Sequence, residues 1–255
     1  MNYCSPARPP RRSLQASGRH QRSAPLSRWE AFFAKKPYLA CIDCNTGWMH
    51  GFEDEMLKFS KPLFTSLDTT VQLDKTTQRV LAVWISLITI LAEYLEHKTG
   101  ICISDNERNF VKTRLLPPEN WTIVACSQTS QAWYAKYRHH SNIIAEHGSR
   151  AEYLGSLTRE IPNNCQISSF GMGKLFVQVF SSPYWGHIQD YRIAARSSGF
   201  NQIWPIPRRF WPLPKRFAKF PTETVLNEEQ ATFAADSFNE RLKRMTKFQR
   251  FEREA

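Results

Sequence analysis

An α+β protein is predicted: a small thiolate-centred module, then a helical and antiparallel-sheet domain. Three observations predict it. Cys41-Ile42-Asp43-Cys44-Asn45-Thr46-Gly47-Trp48-Met49 reads as a tight thiolate turn running into a helix. Residues 80 to 95 are apolar nearly all round, as in a helix at the centre of a core. From Trp121 the period changes from helical to strand-like, with Gly171-Met172-Gly173 as a hairpin turn.

Residues 1 to 28 carry Arg8, Arg11, Arg12, Arg19, Arg22 and Arg28 without an acid, interleaved with Pro and lacking apolar periodicity. By composition this is a disordered basic arm. The module follows over 29 to 66. Tyr38 to Ala40 is the expected strand into the thiolate turn. A helix is expected from near Trp48 to just before Pro62, because the residue before a proline avoids the helical region. Phe52, Met56 and Phe59 mark its apolar face. Glu53, Asp54 and Glu55 lie in its first turns, where the helix dipole favours anions.

The second domain is expected over 70 to 248. Asp68 to Asp74 reads as a turn-rich link, and Thr76 or Thr77 is a candidate cap for a helix reaching about His97 and ended by Gly100. Ser104-x-x-Glu107 is a capping-box pattern, which predicts a helix over 105 to 115 ended by Pro117-Pro118. Trp121 to Cys126 and Ala132 to Tyr137 read as strands joined by the polar turn 127 to 130, and 138 to 164 is ambiguous. Gln166 to Phe170, Lys174 to Phe180 and Phe200 to Trp204 complete the expected strands. Residues 205 to 221 are basic and Pro-rich, with Trp204 and Trp211 as expected anchors to the core. Asn227 or Thr224 opens a last helix to about Phe248, with Phe233, Phe238, Leu242 and Met245 inward. No internal repeat is evident.

Two cysteines three residues apart can hold one edge of a tetrahedral metal, and zinc wants two more ligands. The bland alternative is a pair of reduced thiols at a turn, or a redox pair. Six cysteines are present, scattered apart from this pair, and the first residues lack an apolar signal core. Reduced thiols in a cytoplasm are therefore expected. The run Val80 to Ala92, interrupted by Ser86 and Thr89, is too short to span a bilayer.

The motif Cys41-x-x-Cys44-Asn45-x-Gly47-Trp48-Met49, followed by an acidic helix, resembles the second half of HNH-endonuclease-like proteins of bacteria and phages. The resemblance extends loosely to the apolar helix with Trp84, to Pro117-Pro118, and to Trp204-Pro205 and Trp211-Pro212, covering about 36 to 245. It implies a zinc-knuckle, ββα-metal-like module, with structural zinc on Cys41 and Cys44. It also implies a metal-dependent DNA endonuclease using magnesium or manganese. The family's first half, with another Cys-x-x-Cys and a Glu-His ahead of a Pro, is not found here. The basic arm stands in its place, either as a phosphate-contacting tail or as the product of a displaced start or frameshift.

Phosphodiester hydrolysis of this kind needs a base for water and a cation for the leaving oxygen. Asn45 is the candidate beside the cation; its plain alternative is an N-cap. His20, 21 residues before Cys41, is the candidate base, against a solvated tail histidine. His50 reads as surface. His139, His140 and His147 lie in an expected polar loop with Glu146, a weak candidate for a second metal. Net charge is +11 and the pI near 9.5, which favours polyanions: nucleic acid, most naturally DNA, ahead of an anionic membrane surface. Arg208, Arg209, Lys215 and Arg216, interleaved with Phe210, Trp211 and Phe217, are the candidate nucleic-acid contacts, against a snorkelling face over core aromatics. Two readings compete with the nuclease: a non-catalytic nucleic-acid-binding protein with a structural zinc knuckle, and a structural or interaction protein of mobile-element origin.

Overall fold

A computed structural model describes residues 42–94, 102–147, 150–155, 163–206 and 218–237, with side chains over 145–155 left aside. The expected strand at Tyr38 to Ala40, His20, Cys41 and the 208-to-216 basic run lie outside these residues, as does the expected helix beyond Ser237.

The chain begins with a short helix α1 (Ile42–Thr46) and turns at Gly47 into α2 (Trp48–Thr65). The expected turn at Cys44 and Asn45 is therefore helical. Gly47 is the N-cap of α2, so Asn45 does not cap it. A glycine is required there, since a Cβ would sit 2.5 Å from the Asp43 carbonyl oxygen, which accepts the Gly47 N–H at 3.0 Å. The helix also runs through Pro62, which lies in its last turn, and Ser66 closes it by donating its N–H to Pro62 O. That position costs one backbone bond rather than the helix, because little helix remains to be broken.

Strand β1 (Val71–Leu73) replaces the expected turn-rich link, pairing antiparallel with β8 (Ala218–Phe220). Helix α3 (Lys75–Glu93) is capped by Asp74, whose carboxylate accepts from Thr77 N at 2.8 Å. The carboxylate outcompetes the expected Thr caps because it sits one residue before the first helical turn. That exposed carboxyl is held below its ordinary value by the Thr77 hydrogen bonds. Helix α3 is long and apolar enough to cross a membrane by length and composition, and two thirds of that window is buried inside the fold. Helix α4 (Asp105–Arg114) carries the predicted capping box, with Ser104 and Glu107 bonded reciprocally.

Glu93, at the end of α3, fixes α4 to it. Its carboxylate accepts from the N–H of Cys102 and of Ile103 and pairs with Arg108. Arg108 also donates to Ile103 O at 3.2 Å and lies over the Tyr94 ring. Both charges are compensated, as buried ions must be.

The sheet has the order β4-β3-β5-β6-β2-β7, with β9 (Val225–Leu226) parallel to the end of β2. Its strands are β2 (Trp121–Gln128), β3 (Ala135–His147), β4 (Arg150–Gly155), β5 (Cys165–Met172), β6 (Leu175–Ser181) and β7 (Asn201–Trp204). The expected hairpin of the first two strands does not form. β2 lies against β6 and β7, while β3 lies against β5 and β4. Residues 129–134 cross the end of the sheet instead, pinned by the Gln128 amide, which donates to Trp133 O and Gly173 O. The ambiguous stretch 138 to 164 contains the long β3–β4 pairing.

The β5–β6 hairpin forms, but its turn is Gly173 and Lys174: Gly171 and Met172, expected in the turn, belong to β5 and pair with Phe176 and Leu175. Gly173 has φ +59, and a Cβ there would fall 2.0 Å from Phe64 O. The close approach lets Lys174 N donate to that carbonyl at 2.8 Å, joining the end of α2 to the sheet.

Both faces of the sheet are covered. Trp121, Ile123, Val177 and Phe170 meet Met56, Leu63, Leu81 and Ile85 of α2 and α3. Val124, Phe176 and Phe180 meet Ile188, Tyr191 and Ala231 of α5 (Trp185–Ser197) and α6 (Glu228–Asp236) on the other face. Helix α5 was not foreseen, because its apolar positions are few. Helix α6 starts at the predicted Asn227 cap with a capping box to Gln230. Phe233 is 64 % exposed rather than inward, because Ala231, Ala234 and Ala235 take the buried face. Trp204 is partly buried against the core, its indole N–H donating to Pro118 O at 3.3 Å.

Candidate functional site

The α1–α2 corner carries the described members of the sequence-predicted site. Cys44 and Trp48 pack against the main core, so this corner is fixed to the body of the fold. Asn45 is half-buried one residue further along α1. Of the expected thiolate pair, Cys44 is the member that falls within the described residues.

His50 sits on the solvent side of α2, as expected. Its ring nitrogens lie 4.0 Å from Glu53 and 3.7 Å from Asp54. Among the described residues, no group of three or more His, Cys, Asp or Glu side chains converges to hold a metal. The donor set for zinc that falls within them is thus Cys44 alone.

A second polar region was missed by sequence reasoning. His139 and His140 lie on strand β3, not in a loop, and successive strand residues face opposite ways. His139 faces the α3 side, opposite Ser168, whose hydroxyl lies 2.8 Å from its Nδ1. His140 faces α6, with Asp236 at 3.9 Å beside Arg138. The two imidazoles therefore cannot share one cation. Burial holds His139 down from 6.5 to about 4, and the neighbouring His140 adds to this. His140 is lowered by burial as well, against the opposing pull of Asp236.

The same layer contains Gln166, fully buried on β5 two residues before Ser168. A third histidine, His187 in the first turn of α5, is buried with its Nδ1 3.3 Å from Ser182. Its value is also lowered by burial. These Ser–His pairs look like nucleophile–base pairs, yet Ser168 and Ser182 are fully buried. The arrangement holds neutral imidazoles inside the sheet rather than presenting a hydroxyl to substrate. The available signal was Cys165-Gln166-Ile167-Ser168-Ser169-Phe170, whose polar residues would ordinarily point to water; here both faces are covered.

Charge is divided sharply along the chain. The described residues hold 14 Lys and Arg against 17 Asp and Glu, a net of −3. The remaining segments hold 20 against 6, a net of +14. The basic excess therefore belongs to 1–41, 207–217 and 238–255, which include the candidate contacts Arg208, Arg209, Lys215 and Arg216. The chain matches no protein-family model, no curated protein and no solved structure.

Proposed function

We propose that this chain binds nucleic acid, DNA first, as a relative of HNH-type metal-dependent endonucleases. The observation that carries the binding reading is the distribution of charge along the sequence: residues 1–41, 207–217 and 238–255 together hold 18 Lys and Arg against 4 Asp and Glu, a net of +14. A uniformly basic protein surface would be a weaker indication, since scattered lysines serve solubility equally well. Segments rich in arginine and aromatic residues suit phosphate contact and base stacking.

In the nuclease version, Cys41 and Cys44 hold a structural zinc at the start of the helical corner. Asn45 would help hold a catalytic magnesium or manganese ion and His20 would act as the base for water. Zinc would supply rigidity there, and the second cation would stabilise charge on the leaving oxygen. In the non-catalytic version the same corner serves only to stiffen a binding surface.

The binding test is a salt titration with labelled duplex DNA. Replacing Arg208, Arg209, Lys215 and Arg216 together by alanine is expected to lower the slope of log K against log salt by about 3 to 4. An unchanged slope removes these residues from the interface, and no binding at low salt removes the proposal. Plasmid nicking with manganese that is lost in Asn45→Ala supports the nuclease, and binding without nicking supports the non-catalytic reading. Elemental analysis of the purified chain, expected to find one zinc removed in Cys44→Ser, tests the knuckle separately.

A further inference from the structure

Helix α5 turns one side to the sheet through His187, Ile188, Tyr191 and Ala195. Trp185, Gln189, Ile193 and Arg196 fall together on its other side, within about a quarter turn of one another. Trp185 is 61 % exposed and Ile193 64 %. Among the described residues Trp185 is the exposed tryptophan; the other five are buried or half-buried. A lone apolar residue on a surface needs no explanation, but this ring is held in place. Arg192 sets its guanidinium 5.1 Å from the ring centroid. Arg192 is itself fixed to β2, donating from Nε to Thr122 Oγ1 at 3.0 Å. One face of the indole therefore rests on a pinned cation, and its exposure leaves the other face to solvent.

The stripe also lacks acid. Asp190, the acid of this helix, lies on the opposite flank, near His187. Among the described residues neither Arg192 nor Arg196 is in an ion pair. Burial lowers Arg192 from its ordinary value with no carboxylate set against it. The described residues carry a net of −3, so an acid-free cationic face departs from their general balance. Its complement is an anion that also brings a flat ring. An acidic peptide brings the charge without the ring. A base in a duplex is already stacked on both sides, whereas an unpaired base has a face to offer. From Trp185 to Arg196 the stripe is about 16 Å long at 1.5 Å per residue, room for about four or five nucleotides at the 3.4 Å phosphate spacing of one strand.

We propose that the outer face of α5 is a docking surface for single-stranded nucleic acid, with an unpaired base stacked on the open face of Trp185 and a neighbouring phosphate against Arg196. Arg192 acts as a positioning residue that holds the ring ready. The inference rests on the nucleic-acid reading above and adds to it a contact that recognises bases in an unpaired strand.

The test uses the full chain and fluorescence anisotropy with three labelled probes: a short oligothymidylate, an abasic strand of the same length, and a duplex. Wild type is expected to bind oligothymidylate about 5- to 150-fold more tightly than the abasic strand, the range for one stacked base. Trp185→Ala is expected to lose that preference and to bind the abasic strand and the duplex as wild type does, while Trp185→Phe keeps most of it. Arg196→Ala is expected to lower the slope of log K against log salt on oligothymidylate by about 0.7, the value for one phosphate of a single strand. Equal wild-type affinity for the abasic strand and oligothymidylate overturns the proposal, because charge alone is then read. So does an unchanged preference in Trp185→Ala, or an equal loss on all three probes. Duplex binding with either of these results removes the α5 surface alone, whereas failure of wild type to bind any probe at low salt removes the nucleic-acid reading with it.

Discussion

Acidification is expected to loosen this fold through His139, and the size of the effect follows from its burial. In the unfolded chain the imidazole takes a proton near pH 6.5; in the folded chain it resists protonation until about 4. Between those values the unfolded state binds more protons. The histidine's contribution is therefore intact above about 6.5 and is lost as pH falls towards 4. At pH 4.5 the loss amounts to about 2.5 kcal/mol, since each tenfold difference in proton affinity between the two states is worth about 1.4 kcal/mol. His140 and His187 are lowered too and act in the same direction. Glu93 acts oppositely. Burial raises it above 4.5, despite its bonds to Cys102, Ile103 and Arg108, so the folded state takes up its proton first as pH falls. The His139 contribution is isolated by comparison with His139→Asn, whose amide occupies the Nδ1 position beside Ser168 and does not titrate. Urea unfolding followed by tryptophan fluorescence at pH 7.5 and 4.5 is the assay. The wild-type midpoint is expected to fall about 1 M further than that of His139→Asn, for a slope of about 2–3 kcal/mol per molar. Parallel falls in the two proteins would refute the assignment of a neutral, buried His139.

Two other perturbations test the frame. Glu93→Gln strands the partly buried Arg108 without its counter-charge and is expected to cost about 3–5 kcal/mol in thermal or urea unfolding. The double change Glu93→Leu with Arg108→Leu costs much less, because it removes both desolvation penalties; equal losses would show that the pair does not act as a unit. Gly173→Ala forces a Cβ against Phe64 O at a positive φ and is expected to break the Lys174 N to Phe64 O bond. A cost of about 2 kcal/mol lowers the melting temperature by about 4–8 °C in a chain of this size, and an unchanged melting temperature would mean that the hairpin is not docked on α2.

Local signals in the sequence determined the elements they govern. Ser104 with Glu107 and Asn227 specify helix starts because a cap satisfies backbone N–H groups within three residues of itself. Gly173 specifies a turn because a φ of +59 is open to a residue without a Cβ. The apolar run around Trp84 specifies a core helix, since it is apolar on every side. The coarse α+β class follows from these alone, and the excess of positive charge is a property of composition.

Strand partners were decided only by the tertiary structure. Nothing near residues 127 to 130 distinguishes a hairpin from a crossing. The choice rests on Gln128 reaching Trp133 and Gly173, the latter 45 residues away. The side to which a polar strand residue points is likewise a long-range matter. Gln166 and Ser168 fall in an expected strand whose buried side the sequence leaves open, and both are fully buried in the fold. The helical state of Asn45 was decided in the same way, because Cys44 and Trp48 bind that corner to a core built mostly from residues beyond 80. Hydrogen bonds between neighbours can be read in order along the chain, whereas burial depends on which distant segments arrive to exclude water.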